Sequence, residues 1–216
     1  MITRPSTPIT AESSSVTIPA HQVGDLIIVW AWVESTTNPT IAAGWTTITS
    51  TTDGTTCSIS MGWKIATSAA ETSGTWTGAT SMGAAVYRGA YTVSANFSTA
   101  TTGATQTWNA VTLTGKKSWL VGFIGHRSIN TTTLTTPPTG FTNLASTLGA
   151  TSDVALHDSN GVVVTNYATN TTTSGGTNSG AITAIVEIIP LPNAYNNYSF
   201  PSVVSAGVLS VTEKIN

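Results

Sequence analysis

The chain has 216 residues, a net charge of −2 and a charged share of 7%, against about 25% in ordinary soluble domains. Its hydrophobic share of 40% can fill one sizeable core, and all-β sandwiches of ~200 residues often form a single domain. The seven Lys and Arg residues form no basic patch, which argues against nucleic acid as a partner. A single cysteine, Cys57, excludes an internal disulfide and is expected to be a buried free thiol.

The N-terminal residues 1–14 are rich in Ser, Thr and Pro and show no periodicity, so we predict an extended arm. They contain no apolar stretch of the kind that signal peptides carry. The longest apolar run, within residues 24–33, is too short to cross a bilayer. We therefore expect folding in a cytoplasm and no membrane partner.

Short β-branched and aromatic runs, separated by Gly, Pro, Asn and Ser, fill the middle of the chain. This pattern predicts strands and no helices. The first series of predicted strands is 15–18, 26–33, 46–50, 56–64, 75–76 and 82–87. The second is 107–113, 118–126, 142–146, 154–157, 162–169 and 181–188.

The two series resemble diverged copies, with half-repeats at about 15–90 and 107–189. Residues 24–35 align with 117–128, residues 42–48 with 138–144, and residues 81–90 with 179–188. Chance alignment of threonine-rich stretches is the alternative, but three blocks in the same order favour duplication. We predict an all-β, two-sheet antiparallel sandwich of jelly-roll type over residues 15–189, with the half-sets interleaved between the sheets.

The long strand at 26–33 is apolar on both faces, since side chains alternate along a strand. Leu26, Ile28, Trp30 and Trp32 share one face, and Ile27, Val29, Ala31 and Val33 the other. The strand at 118–126 repeats this feature. A chain arm, a loop or a neighbouring subunit must cover the outer faces, and our hypothesis is a neighbouring copy in a homo-oligomer.

Few ionisable side chains are available for catalysis, and the sequence contains no HExxH, CxxC or G-x-S-x-G motif and no Gly-rich phosphate loop. We predict no catalytic, cofactor-binding or metal-binding residues. His157 and Asp158 should point to opposite faces, in a solvated loop end rather than a metal site. Glu187 is expected to face outward from an edge strand; the alternative is a buried carboxylate paired with Arg88 or Arg127.

The seven tryptophans raise the possibility of carbohydrate binding. Two of them, Trp76 and Trp108, lie in polar surroundings and are the candidate sugar platforms. Trp45 and Phe141 occupy equivalent places in the half-repeats, which favours a packing role for both. The remaining tryptophans in apolar strands are expected in the core: Trp30, Trp32, Trp63 and Trp119.

The C-terminal residues 190–216 are predicted to form an extended arm, because Pro190, Pro192 and Pro201 block ladder hydrogen bonds. A short apolar segment follows. This arm could add a strand to another subunit or pack across its own domain. The candidate subunit contacts are Tyr195, Tyr198, Phe200, Val208, Leu209 and Val211.

Four motifs carry a resemblance to a known family. They are Gly24-Asp25-Leu26, Gly44-Trp45-Thr46, Trp63-Lys64-Ile65-Ala66 and Tyr87-Arg88-Gly89. In this order they resemble a domain of tailed-bacteriophage structural proteins, over residues 15–90 and more faintly in the second half. One departure is the proline expected directly before Gly-Trp, which is displaced to Pro39.

The resemblance implies a jelly-roll virion component that is made in the host cytoplasm and supplies no catalytic residues. The leading expectation is a capsid decoration protein on the outer capsid surface, with the major capsid protein and copies of itself as partners. The alternative is a tail or fibre module that binds host-surface glycan, with Trp76 and Trp108 exposed. A third possibility is a carbohydrate-binding module of a bacterial enzyme.

Overall fold

The computed structural model describes residues 1–100, 105–115, 117–128, 136–149, 152–173 and 178–192. In the first half of the chain the strands are β1 (Ile9–Ala11), β2 (Leu26–Val33), β3 (Thr46–Thr52), β4 (Ser58–Ile65) and β5 (Ser81–Tyr87). In the second half they are β6 (Ala90–Ala100), β7 (Thr105–Trp108), β8 (Trp119–Ser128), β9 (Thr142–Leu148), β10 (Ser152–Asp158), β11 (Asn170–Thr173) and β12 (Asn178–Pro190).

The strands form two five-stranded antiparallel sheets that pack as a sandwich, which confirms the predicted all-β fold class. The first sheet has the order β1-β5-β2-β4-β3 and the second has the order β6-β12-β8-β10-β9. The orders correspond strand for strand, with β2 and β8 at the two centres. Strands β7 and β11 form a separate two-stranded sheet. This correspondence supports the predicted duplication.

The halves are not interleaved, however, and that part of the prediction is wrong. Each half of the chain builds its own sheet, and only Arg88 and Gly89 separate β5 in the first sheet from β6 in the second. The physical reason is that strands close in sequence pair with one another more readily than distant ones.

Residues at aligned positions meet where the two sheets face each other. Trp30 packs on Phe123 with ring centroids 4.4 Å apart, and Trp32 lies against the backbone of Gly125. At the ends of the same strands Glu34 forms an ion pair with Arg127. Contacts between equivalent positions are what an approximate two-fold axis along β2 and β8 produces. The two halves therefore meet as two copies of one subunit would.

The space between the sheets is filled by apolar side chains from both halves. Trp30, Trp32 and Phe123 are fully buried there, and Trp119 is 8% exposed. Trp63 is partly buried against the same cluster. The expected core role of these residues is confirmed.

The outer faces of both sheets are covered by the chain itself, so the hypothesis that a neighbouring copy covers them is wrong. In the first sheet, Val16, Ile18 and Trp76 pack over the face that carries Ile27 and Val29. In the second sheet, Trp108 at the end of β7 and the loop residues Val111 and Phe141 cover Leu120 and Ile124. The described chain thus forms four layers, with loops outside the first sheet and loops together with β7 and β11 outside the second.

Three predicted strands belong to these covering layers instead of the sheets. Residues 15–18 and 75–76 are loops, and residues 162–169 make only isolated bridges, Val163 with Ser118 and Tyr167 with Val111. These segments have the β-branched and aromatic side chains of strands because they, too, bury one face.

The predicted N-terminal arm is part of the domain. Strand β1 pairs with β5, with Ile9 opposite Ala84, and Thr3 forms a bridge with Arg88. Ile2 is 1% exposed and belongs to the core between the sheets. Isolated apolar residues such as Ile2 give no periodic signal, which is why the sequence suggested an arm.

We expect Ile2→Ala to lower the free energy of unfolding by about 2 kcal/mol, because it leaves a cavity in the core. The control is Thr7→Ala, since Thr7 is exposed and its change should stay within about 0.5 kcal/mol. Urea unfolding followed by circular dichroism measures both. Equal stability of the two variants would contradict the placement of Ile2.

Candidate functional site

The two candidate sugar platforms are buried, so the exposure that the glycan-binding alternative requires of them is not found. Trp76 is 0% exposed and Trp108 is 1% exposed. The indole N–H of Trp76 donates to the carbonyl of Ser73 at 3.0 Å, and that of Trp108 donates to the hydroxyl of Thr172 at 2.9 Å. A sugar platform needs an open ring face, so neither ring offers one in this structure.

Each of these tryptophans covers a glycine in the adjoining sheet. A methyl group added at Gly62 would lie 3.1 Å from Trp76, and one added at Gly122 would lie 3.0 Å from Trp108. Trp45 packs on Trp76 with centroids 6.0 Å apart, and Phe141 lies against the same Gly122. The packing role predicted for Trp45 and Phe141 is confirmed.

Two of the four sequence motifs meet through an ion pair at one end of the first sheet. The Arg88 guanidinium donates to both carboxylate oxygens of Asp25 at 2.9 Å, and the Gln22 amide donates to Asp25 at 2.9 Å. Burial acts to raise the Asp25 pKa, but hydrogen bonds from Arg88 and Gln22 outweigh it and the pKa is lowered. The Gly-Asp and Tyr-Arg-Gly motifs therefore hold together one end of the first sheet.

The other two motifs meet through Lys64. Its ammonium lies 4.5 Å from the centroid of the Trp45 ring and 2.6 Å from Glu71. Hydrogen bonds from Lys64 and Thr67 lower the Glu71 pKa to about 2. This cation–π contact attaches the loop that precedes β3 to strand β4. The four motifs thus describe scaffold contacts rather than a reaction centre.

A buried carboxylate, Asp158, connects the two sheets to the N-terminal segment. It contacts the Arg4 guanidinium, accepts from the Tyr87 hydroxyl at 3.2 Å, and accepts from the Asn160 amide at 2.8 Å. Burial, and then the charge of Asp158, raise the Tyr87 pKa. Residues 4, 87 and 158 are so far apart in sequence that no local pattern predicts their contact.

Glu187 is 0% exposed, and it lies on β12, an interior strand. The expected outward position on an edge strand is therefore wrong, and the observed partners are not the arginines of the alternative. The carboxylate accepts from the amides of Thr114 and Gly115 and from the hydroxyls of Thr114 and Ser118. Burial acts to raise its pKa, but these hydrogen bonds outweigh it and the pKa is lowered. Glu187 holds the turn before β8 in place.

Replacing Glu187 with Gln should lower the free energy of unfolding by about 1–2 kcal/mol, because an amide NH₂ then faces donors that require an acceptor. The loss should shrink as pH falls, since a lowered folded pKa means that the carboxylate stabilises above its unfolded pKa and loses this effect on protonation. Chemical denaturation at pH 7 and at about pH 3, which is well below the ordinary glutamate pKa, measures this difference. A pH-independent loss would contradict the role of the charge.

His157 and Asp158 point to opposite faces of β10, as predicted, but both are 0% exposed, so the expected solvated loop end is wrong. The His157 ring packs edge-on against Trp108 at 5.7 Å, and burial lowers its pKa to about 4. His126 is also buried, with the same effect on its pKa. Within the described part of the chain, no group of three or more His, Cys, Asp or Glu side chains is placed to hold a metal.

Cys57 is a buried free thiol, as predicted. Burial, and then hydrogen bonding to Asp53, raise its pKa to about 12. Asp53 accepts from the amides of Thr55, Thr56 and Cys57, and Gly54 has a φ of +80°. Asp53 and Gly54 therefore form the turn between β3 and β4.

Two open clefts lie beside the covering loops. One, of about 380 Å³, is lined by residues 4–8 with Asn143 and Leu144. The other, of about 440 Å³, is lined by residues 15–18 and 71–75. Their ionisable residues, Arg4 and Glu71, are in the ion pairs with Asp158 and Lys64.

The predicted subunit contacts in the C-terminal segment lie outside the described residues: Tyr195, Tyr198, Phe200, Val208, Leu209 and Val211. In the described ranges the structure contains no helix long and apolar enough to cross a membrane. Comparison of the chain with protein-family models, with curated proteins and with solved structures gives no match.

Proposed function

We propose that the protein is a non-enzymatic structural protein of a tailed-bacteriophage virion, bound to the outer capsid surface as a decoration protein. Its partners in this proposal are the major capsid protein and further copies of itself. The resemblance of the four motifs to phage structural proteins gives the class, and the character of the sheet edges supports the role.

The observation that carries the proposal is the absence of charge from the edge strands. The edges of the two sheets are β1, β3, β6 and β9, and these four strands contain no Asp, Glu, Lys or Arg. Exposed edges normally carry charge or proline, which prevents pairing with other chains. Neutral edges suit a protein whose edges are covered in an assembly.

The composition of these edges favours many modest contacts. Strand β3 reads TTITSTT and β9 reads TNLASTL, and both are half-exposed. Threonine and serine hydroxyls form hydrogen bonds without the ordering cost of long charged side chains. Repeated over many copies, such contacts would reinforce junctions between capsid subunits.

Four basic side chains of the described residues help to hold the domain together. Arg4, Lys64, Arg88 and Arg127 each form an ion pair within the chain. Such use suits a mechanical role. The glycan-binding alternative is not supported by Trp76 and Trp108, because both rings are buried.

The test is binding of purified protein to capsids assembled without it, measured by co-sedimentation. We expect saturable binding, and at least a tenfold loss of affinity in a Thr47→Lys, Thr142→Lys double variant. Both residues are exposed on edge strands, and lysine there places unmatched charge in the interface. Thr36→Lys, in an exposed loop, is the matched control and should bind like the unaltered protein. Absence of binding, or capsids equally robust without the protein, would refute the proposal.

A further inference from the structure

The turn that follows β10 carries the one Asn-Gly pair in the chain, Asn160-Gly161. Both residues lie outside the strands. Asn160 is exposed and has a φ of +46°, a conformation that asparagine adopts more readily than most residues do. The nitrogen of a glycine can attack the side-chain amide of the residue before it, because no Cβ hinders the approach. The pair is therefore a candidate site of chemical modification.

The surroundings of Gly161 leave its nitrogen open to this reaction. Apart from the neighbours in sequence, the nearest atom to a methyl group added at Gly161 is the Ser159 carbonyl oxygen, 3.9 Å away. Within the described part of the chain, the Gly161 amide donates no hydrogen bond that the attack would have to break. The side-chain oxygen of Asn160 lies 3.4 Å from the Arg4 guanidinium. A positive charge beside a carbonyl oxygen stabilises the negative charge that develops there during attack.

A similar pair, Asp53-Gly54, is protected by its hydrogen bonds. The Asp53 carboxylate accepts from the amides of Thr55, Thr56 and Cys57. Burial acts to raise the Asp53 pKa, but hydrogen bonds from Thr56 and Cys57 outweigh it and the pKa is lowered. The carboxyl group therefore stays ionised, and an ionised carboxylate resists attack by a nitrogen.

Other asparagines are placed less favourably for this reaction. Asn143 and Asn170 lie on strands. Asn38 precedes a proline, whose nitrogen carries no hydrogen. The nitrogen that follows Asn166 donates to a backbone carbonyl at 2.9 Å. The Asn-Gly turn thus differs from these sites both in its sequence and in its surroundings.

We propose that Asn160 converts spontaneously to aspartate and isoaspartate. The Gly161 nitrogen loses its proton to a base in solution and attacks the side-chain carbonyl carbon of Asn160. The bond from this carbon to the amide nitrogen breaks, ammonia leaves after taking a proton back from the solution, and a cyclic succinimide forms. Water then adds to either carbonyl of the ring and opens it. The net reaction consumes one water and releases one ammonia, with no oxidation or reduction.

The modification would add a negative charge beside an existing ion pair. Arg4 already contacts Asp158, and its guanidinium reaches the side chain at position 160. A carboxylate there gives Arg4 a second charged acceptor, and charge-assisted hydrogen bonds are stronger than neutral ones. The reaction therefore changes the contact between the N-terminal segment and the second sheet. It does not depend on the proposed capsid role.

Peptide mass spectrometry of the full folded chain, stored at mildly alkaline pH, tests the proposal. We expect a gain of about 1 Da in the peptide that contains residues 159–161. This gain should accumulate at least tenfold faster than at Asn143, Asn166 or Asn170. In water enriched in oxygen-18 the product should carry the heavy isotope, because the added oxygen atom comes from water. Ion-exchange chromatography should show one additional negative charge.

Gly161→Ala is the matched variant, because it adds only a methyl group in open space. We expect conversion of Asn160 to be at least tenfold slower in this variant, since the Cβ hinders attack by the nitrogen. Asp53 is the control within the same chain and should form no isoaspartate while the chain is folded. In concentrated urea, where the hydrogen bonds of Asp53 are lost, isoaspartate should become detectable there.

Three results would overturn the proposal. The first is an unchanged mass at Asn160. The second is equal conversion in Gly161→Ala and the unaltered chain, because the Gly161 nitrogen would then not be the nucleophile. The third is conversion at least tenfold slower in the folded chain than in urea, because the turn would then protect Asn160. No capsid is present in these experiments, so their outcome is independent of the capsid-binding test.

Discussion

Gly125→Ala should lower the free energy of unfolding by about 3 kcal/mol or more, the upper end of what overpacking costs. A methyl group at this position would lie 2.1 Å from the indole of Trp32. That ring is fully buried between the sheets and cannot move aside. Where no clash arises, replacing a strand glycine with alanine raises the free energy of unfolding by about 0.5–1 kcal/mol. The close approach of Trp32 is therefore the reason why we expect this replacement to destabilise the protein.

The control for this prediction is Gly161→Ala. The nearest atom to a methyl group there is 3.9 Å away, so stability should change by less than about 0.5 kcal/mol. Adding Trp32→Phe to Gly125→Ala should recover part of the loss, because the smaller ring frees space. A double-mutant cycle in urea measures this coupling. Additive losses would show that Trp32 and Gly125 do not compete for the same volume.

Acid should destabilise the protein steeply between pH 6.5 and pH 4. Burial lowers the pKa of His126 and His157 from 6.5 to about 4. In this window the two histidines are protonated in the unfolded chain but stay neutral in the folded chain. The free energy of unfolding therefore falls as the pH falls. Each ring contributes about 3 kcal/mol of loss at the acid end. Protonation of Glu187 and Asp25, whose pKa values are lowered, adds to the loss at lower pH.

His157→Phe tests this effect, because phenylalanine preserves the edge-on contact with Trp108 and does not titrate. Stability measured by denaturation from pH 7 to pH 4 should fall about half as steeply in this variant. Val154→Ala, on the same strand and also buried, removes no ionisable group. Its curve should be lower but parallel to that of the unaltered chain. If the stability of His157→Phe fell with pH as steeply as that of the unaltered chain, the assignment of this effect to His157 would be contradicted.

The central strands could be predicted from the sequence because their signal is local. Residues 26–33 were predicted as a strand, and β2 has these bounds. The aligned blocks also indicated the repeat that the strand orders support. Long apolar runs between turn residues leave few alternatives to a buried strand.

The sequence did not indicate which element covers which face. Strand β6, AYTVSANFSTA, was missed because its few apolar residues are separated by small polar ones. The polar neighbours of Trp76 and Trp108 in the sequence make them candidate sugar platforms, whereas distant strands bury both rings. The same holds for Glu187, whose partners are about 70 residues away in the chain.

Electron-microscopic localisation in the particle tests the proposed function most directly. We predict density for a two-sheet sandwich on the outer face of the capsid, over junctions between major capsid subunits, with neutral edge strands in the contacts. Density for this chain in the tail or fibres, or its absence from a particle with an intact capsid, would contradict a capsid decoration role.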